Sequence, residues 1–145
     1  MKIDRFKDDF EFLSNFAESV FTHDGIVYET NEHFYQAMKS DSRKERKRIA
    51  ALPTPGQTKR EGQKLTLRKD WESVKVAVMR EGLALKFVDG SVLAEMLKAT
   101  DPVPLLEGNH WGDRYWGVDS RTGQGKNWLG KLLMERRAEL LGSSK

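Results

Sequence analysis

The apolar positions change rhythm along this chain, from short β-prone runs in the first third to helical spacing beyond it. Residues 10–16 are aromatic-rich and read as a short strand. Val20-Phe21-Thr22 and Ile26-Val27-Tyr28 flank His23-Asp24-Gly25, and Asp-Gly between two such runs predicts a β-hairpin. A helix is expected from about Asn31, with Thr30 or Asn31 as its cap and Glu32 in its first turn. It runs to about residue 51, where Leu52-Pro53-Thr54-Pro55-Gly56 stops it. A short helix over residues 58–67 follows, and Asp70 caps the next, residues 71 to about 87. There Val74, Val78 and Leu85, beside Met79, Leu83 and Phe87, make a broad apolar side suited to burial. Asp89-Gly90-Ser91 turns into a short helix carrying Leu93, Met96 and Leu97, ended by Asp101-Pro102-Val103-Pro104. Leu129, Leu132, Leu133, Arg136 and Leu140 space out a last helix over residues 128–141, with Gly142 as its stop. The pattern predicts one α+β domain over residues 1–145, mainly helical, with a small antiparallel sheet from the N-terminal third.

One stretch has neither rhythm. Residues 109–130 read N-H-W-G-D-R-Y-W-G-V-D-S-R-T-G-Q-G-K-N-W-L-G, with three of the four tryptophans and five glycines. Glycines let backbone approach closely or take positive φ, and indoles offer flat faces for stacking. With Asp113, Asp119 and Asn127 interleaved, the segment suits the wall of a pocket for a polar, ring-bearing ligand. It equally suits a long surface loop anchored by buried tryptophans.

Composition narrows the chemistry. The 145 residues are 38% hydrophobic and 32% charged, the proportions of a globular domain large enough to bury a core without staples. With no cysteine, disulfides, thiolate metal sites and thiol catalysis are excluded. Three histidines, His23, His33 and His110, lack the close spacing of a zinc site, so no metal and no cofactor are expected. No apolar run approaches the ~20 residues that span a bilayer, and Met1-Lys2-Ile3-Asp4 does not open a signal peptide, so a cytoplasmic location without membrane is expected. A net charge of +3 permits phosphate-bearing ligands without demanding nucleic acid. The run Arg43-Lys44-Glu45-Arg46-Lys47-Arg48 spreads around a helix and reads as a solvated face.

The helix near Asn31 carries the most chemistry. With Glu32 at zero on a helical wheel, Gln36 falls near ~40°, Lys39 near ~−20° and Tyr35 near ~−60°. Phe34, Ala37 and Met38 lie opposite, so an acid, an amide, a phenol and an amine share one face. Such a stripe is either a solvated surface or a catalytic one. Other motifs dissolve on inspection. Residues 125–131 satisfy G-x-x-x-x-G-K, but Leu132 replaces the Ser or Thr that a P-loop requires. Gly123-Gln124-Gly125 lacks the third glycine of a dinucleotide loop. His33 beside Glu32 points ~100° away on a helix and is a poor partner for it. Ser14-Asn15-Phe16 is either a polar loop lip or an ordinary turn.

Taken in order, these residues resemble the NADAR, or YbiA-like, family. The likeness is carried by F-L-S-N-F (residues 12–16), G-x-x-Y (25–28) and N-E-H-F-Y-Q-A-M-K (31–39). It continues through Lys59 with Gly62, R-x-D-W (68–71), Met79, K-F (86–87) and L-x-E (105–107). D-x-x-W-G (113–117), G-x-N-x-L-G (125–130) and L-L-M-x-x-R (132–137) complete it, from about Phe6 to Leu140. The resemblance implies an enzyme that hydrolyses N-glycosidic bonds. It implies a nucleotide-like substrate, either ADP-ribose attached to guanine in nucleic acid or the ribosylamino-pyrimidine phosphates of riboflavin synthesis. The sequence departs from the family at Asp119, where many members carry glycine, and in the bulky G-N-H-W-G of residues 108–112. Both departures fall where substrate choice is expected.

Cleavage of a ribosyl C–N bond passes through an oxocarbenium-like centre that needs nearby negative charge and an activated nucleophile. Glu32 is expected to supply the carboxylate, as base or electrostatic stabiliser. Lys39 is expected to protonate the departing base, bind phosphate or form a Schiff base with the opened sugar. Asp113 is the second carboxylate, for ribose hydroxyls or acid–base duty. Trp111 and Trp116, with Gly117 beside them, are the expected base-stacking elements, and Trp71 reads as core. Asn127 is expected to contact phosphate or ribose, to cap the last helix, or both. Ser14, Asn15, Phe16, Tyr35 and Gln36 complete the lining. A non-catalytic module that binds ADP-ribose or a nucleotide is the rival reading; it needs the aromatics but not Glu32 and Lys39 together. Protein partners are not legible.

Overall fold

The computed structural model describes residues 1–143, and the chain divides into two compact units, Asn15–Lys86 and Met1–Ser14 together with the chain from Phe87 onward. Each is built by recognisable local rules. Its class is α+β, mainly helical with a small antiparallel sheet, as the pattern predicts.

In the first unit, β1 (Glu18–His23) pairs antiparallel with β2 (Ile26–Thr30) across Asp24 and Gly25. Both turn residues take positive φ, +50° and +74°, the conformation that a two-residue hairpin demands and that Asp-Gly tolerates. Phe21 faces Tyr28 across the ladder, and burial alternates along β2, with Ile26, Tyr28 and Thr30 inside. Phe34 packs its ring edge-on against Phe21, His23 and Tyr28 at 5.1–5.4 Å, tying the hairpin to the next helix.

That helix, α1, spans Asn31–Ala37 and stops well short of residue 51. The break has a local cause. Ser42 starts a new helix, its hydroxyl accepting from the Glu45 backbone N–H, while Ser40 accepts from the Ser42 N–H through its own hydroxyl. Arg46 Nε also donates to the Ser40 carbonyl at 2.8 Å. Serines in a run bond to neighbouring backbone and offer the chain an exit from the helix. The second helix, α2 (Arg43–Ala50), carries the basic run and buries only Ile49.

The third helix, α3, is Pro55–Gly62 rather than residues 58–67: Thr54 caps it and Pro55 occupies the first turn, where a missing N–H costs nothing. The fourth, α4 (Trp71–Lys86), buries Trp71, Met79, Gly82, Leu83 and Lys86. Gly82 is required because any side chain there would collide with Asn31.

In the second unit, residues 8–13 form a 3-10 helix (Asp8–Leu13) instead of the strand expected over residues 10–16. Three acids in its first turn favour a helical N-terminus over a strand. Ser91 caps α5 (Val92–Lys98). Two-residue strands β3 (Gly108–Asn109) and β4 (Val118–Asp119) pair in parallel, giving the glycine–tryptophan stretch a little regular structure that its composition did not predict. The last helix, α6 (Trp128–Ser143), buries Leu129, Leu132, Leu133 and Leu140 and runs through Gly142 instead of stopping there. Its Arg137 donates to the carbonyls of Thr100 and Val103, and Arg136 to that of Phe87. No helix among the described residues is long and apolar enough to cross a membrane.

Candidate active site

Every residue of α1 is buried, its polar stripe included: Glu32 is 7% exposed and Gln36 4%. A carboxylate so enclosed needs compensation. Gln36 Nε2 donates to Glu32 Oε2 at 2.6 Å, one turn along the helix. The Gln36 side chain fits only because Gly62 of α3 presents no Cβ beside it. Asn15 supports the same helix from its start: its carbonyl accepts the Glu32 N–H at 3.0 Å, and its side-chain oxygen accepts from Asn31 Nδ2 at 2.9 Å.

Lys39 lies one residue beyond the C-cap, in the turn that closes α1. The wheel position is therefore not its address. Its ammonium sits 5.6 Å over the Tyr35 ring, and Tyr35 in turn packs on Trp71 at 5.2 Å. Burial lowers the Lys39 pKa below the ordinary lysine value; the Glu32 charge opposes this, and the nearby charges of Lys59 and Lys75 reinforce it. More of this amine is neutral at a given pH than of a solvated lysine. Trp71 is core, buried at the start of α4.

Both ring nitrogens of His33 are engaged within the protein. Its Nε2 lies 2.9 Å from the Leu52 carbonyl, which can only accept, so the proton is on Nε2. Nδ1 lies 2.8 Å from the Thr30 hydroxyl, which caps the helix by accepting the His33 backbone N–H. Thr30 thereby serves as the N-cap.

In the other unit, the polar residues of the glycine–tryptophan stretch are largely spent on backbone. Asp113 Oδ1 accepts the N–H groups of Tyr115 and Trp116 at 3.1 and 2.9 Å. Asn109 spans the loop, donating to the Asp113 carbonyl and to Glu107 Oε2 and accepting the Asp113 N–H. Asn127, at φ +53°, accepts the Glu107 N–H and donates to the Leu105 carbonyl, both at 3.0 Å. Its carbonyl starts α6 by accepting from Lys131. Gly117 leaves no room for a Cβ against Glu107 and Asn109. Trp116 packs edge-on to Tyr115 at 4.9 Å, whereas Trp111 stays 55% exposed beside His110. Ser14 closes the 3-10 helix through its N–H to Glu11, and Phe16 is exposed.

Of the residues expected to line one site, the structure places Asn15, Phe16, Glu32, Tyr35, Gln36 and Lys39 in the first unit and Ser14, Trp111, Asp113, Trp116, Gly117 and Asn127 in the other; near Lys39 it adds two lysines that had been assigned no role, Lys59 and Lys75. Lys75 had a readable signal: it stands four residues after Trp71 and four before Met79, on one helical face.

Glu32 is thus buried within electrostatic reach of Lys39, an amine whose pKa burial lowers. The chain belongs to the NADAR domain family, whose match runs over residues 3–141 and so takes in both units. It is 43% identical over 135 residues to N-glycosidase YbiA of Escherichia coli (strain K12), covering 92% of this chain and 83% of that protein. It is 36% identical over 132 residues to a riboflavin biosynthesis protein of Vibrio vulnificus, covering 89% of this chain but 35% of the longer relative. The NMR structure of E. coli YbiA superposes with a TM-score of 0.86 at 39% identity, covering 99% of this chain and 86% of the other.

Proposed function

We propose that this chain is an N-glycosidase that hydrolyses the bond between C1′ of a ribosyl group and the nitrogen of a base, with Glu32 and Lys39 as its catalytic pair. The likeness to N-glycosidase YbiA over most of the chain supports a hydrolase acting on N-glycosyl bonds. The observation that carries the assignment of residues is the enclosure of Glu32 within electrostatic reach of an amine whose pKa is lowered. A ligand-holding module has no use for that costly pair.

In the reaction, water adds across the C–N bond: hydroxyl goes to C1′ and a proton goes to the departing base. Glu32 stabilises the positive charge that develops at C1′, or removes the proton from the attacking water. Gln36 fixes one carboxylate oxygen so that the group need not reorganise. Lys39 either delivers the proton to the leaving nitrogen or, as a neutral amine, attacks C1′ and forms an imine with the opened sugar that water then releases. Borohydride separates these roles, since only an imine leaves the sugar covalently attached to Lys39.

The leading substrate is ADP-ribose attached to a guanine base in nucleic acid; in the other unit, the exposed indole of Trp111 offers a flat face of the kind on which a base stacks. Asp113, Trp116, Gly117 and Asn127 frame that loop. The second reading is the ribosylamino-pyrimidine phosphates, favoured by 36% identity to the Vibrio riboflavin biosynthesis protein. The test offers each substrate to the wild type, Glu32→Gln and Lys39→Ala and detects free base by mass. Turnover of one substrate, lost in both folded variants, supports the assignment; full turnover by either variant removes that residue from the catalytic pair.

A further inference from the structure

Two carboxamides of α1 share one arrangement. Gln36 sends Nε2 to Glu32 Oε2 at 2.6 Å, and Asn31 sends Nδ2 to Asn15 Oδ1 at 2.9 Å and to the Met79 sulfur. Both amide oxygens, Gln36 Oε1 and Asn31 Oδ1, are buried and accept no conventional hydrogen bond among the described residues. Each lies instead against a glycine of another helix, Gln36 Oε1 on Gly62 of α3 and Asn31 Oδ1 on Gly82 of α4. A Cβ at either glycine would collide with the oxygen, so the hydrogen in its place is directed at that oxygen. A Cα–H is a weak donor that a carbonyl oxygen receives. An amide turned by 180° would press its NH2 hydrogens on the glycine hydrogen. In Gln36 the same turn would set one acceptor oxygen against another, that of ionised Glu32. Each glycine therefore fixes one orientation of its amide.

The two amides differ in where they point. That of Asn31 is turned to Asn15 and Met79, that of Gln36 to a carboxylate. We propose that Gly62 is a positioning residue of the α1 site: it locks Gln36 as a donor and so holds Glu32 in one charged, oriented state. This rests on Glu32 being the carboxylate of N-glycoside cleavage. A donor that cannot turn over keeps the charge and direction of Glu32 fixed while positive charge develops at C1′. The positive charge of Lys39, which interacts with Glu32, favours the same ionised form; Lys59 and Lys75 are further cations around Lys39. Gly62 acts through Gln36, because the three atoms nearest to a Cβ placed there all belong to that side chain.

The experiment compares wild type, Gly62→Ala, Gln36→Ala, their double variant and Gly82→Ala in two arms. Without substrate, 15N–1H spectra follow the Gln36 side-chain amide, assigned by its loss in Gln36→Ala. Its proton on Glu32 should resonate downfield of solvated glutamine amides. Gly62→Ala should abolish that displacement, and Gly82→Ala, with the same kind of collision at Asn31, should lower the melting temperature but keep it. With whichever of the two N-glycosides the wild type cleaves, Gly62→Ala and Gln36→Ala should each lower kcat about 10- to 100-fold at nearly constant KM. The double variant should be no slower than Gln36→Ala. An unchanged Gln36 signal or wild-type kcat in Gly62→Ala overturns the proposal, as do losses that multiply in the double variant. An equal loss of the signal in Gly82→Ala also overturns it, since that marks general loosening of α1. Should Gly62→Ala fold poorly, the double variant, freed of the colliding amide, should regain the stability of Gln36→Ala; failure to regain it counts against the lock. The spectra need no turnover, so a wild type that cleaves neither N-glycoside sinks the catalytic reading while the amide arm still decides the lock.

Discussion

Two regions of this chain hold clusters of polar side chains, and they spend them differently. Around α1, polar side chains bond to one another: Gln36 to Glu32, Asn31 to Asn15, with Lys39 of the closing turn held over Tyr35. In residues 109–127 they bond mainly to backbone: Asp113 to two N–H groups, Asn127 to an N–H and a carbonyl. A helix satisfies its own backbone and frees side chains for chemistry, whereas an irregular segment must recruit side chains to satisfy its backbone. Similar residue types are therefore bonded to other side chains in one region and to backbone in the other.

The sharpest break in that contrast is expected in catalysis. Glu32→Gln keeps the shape and removes the charge, and should lower kcat by roughly 10²–10⁴-fold with little change in melting temperature. Asn127→Ala should do the reverse. It orphans the Glu107 N–H and the Leu105 carbonyl, a loss of about 2–4 kcal/mol read by urea unfolding. An Asn127→Ala protein of normal stability and low activity would erase the distinction between the two regions.

Smaller effects sharpen it. Thr30→Ala removes the α1 cap and the partner of His33 Nδ1, and should cost about 1–2 kcal/mol. If α1 is the catalytic element, activity should fall further than the stability loss explains. A separate effect, set by pH, concerns Lys86, buried at the end of α4, where burial lowers its pKa to about 7. Its folded pKa lies below the unfolded value of 10.5, so between them the unfolded chain binds the extra proton. Stability should therefore rise with pH from about 7 to about 10, by at most about 1.4 kcal/mol per pH unit for one proton. Chemical denaturation across that range should show the slope in the wild type and a flatter one in Lys86→Met.

Local signals were read well where one residue type dominates the outcome. Asp24-Gly25 fixed the hairpin, Thr30 and Ser91 marked helix starts, and the leucines of α6 gave its buried side. Reading failed where neighbours compete. Ser40 and Ser42 ended one helix and began another inside what looked like a single span. The acids of residues 8–11 turned an aromatic run into a 3-10 helix. Lys75 was passed over because a lysine on a helix usually faces water.

What the residues determine unaided is the set of local elements, because caps, turns and periodicity act over a few neighbouring positions. The order of motifs from Phe12 to Arg137 belongs with that, since it too is written in one dimension. Whether the stripe Glu32, Tyr35, Gln36 faced solvent or core was open in the wheel, for either outcome satisfies the same spacing. Packing decided it. Gly62, Trp71 and Met79 come from distant helices, and only their arrival against α1 turns a polar face into an enclosed, charge-loaded one.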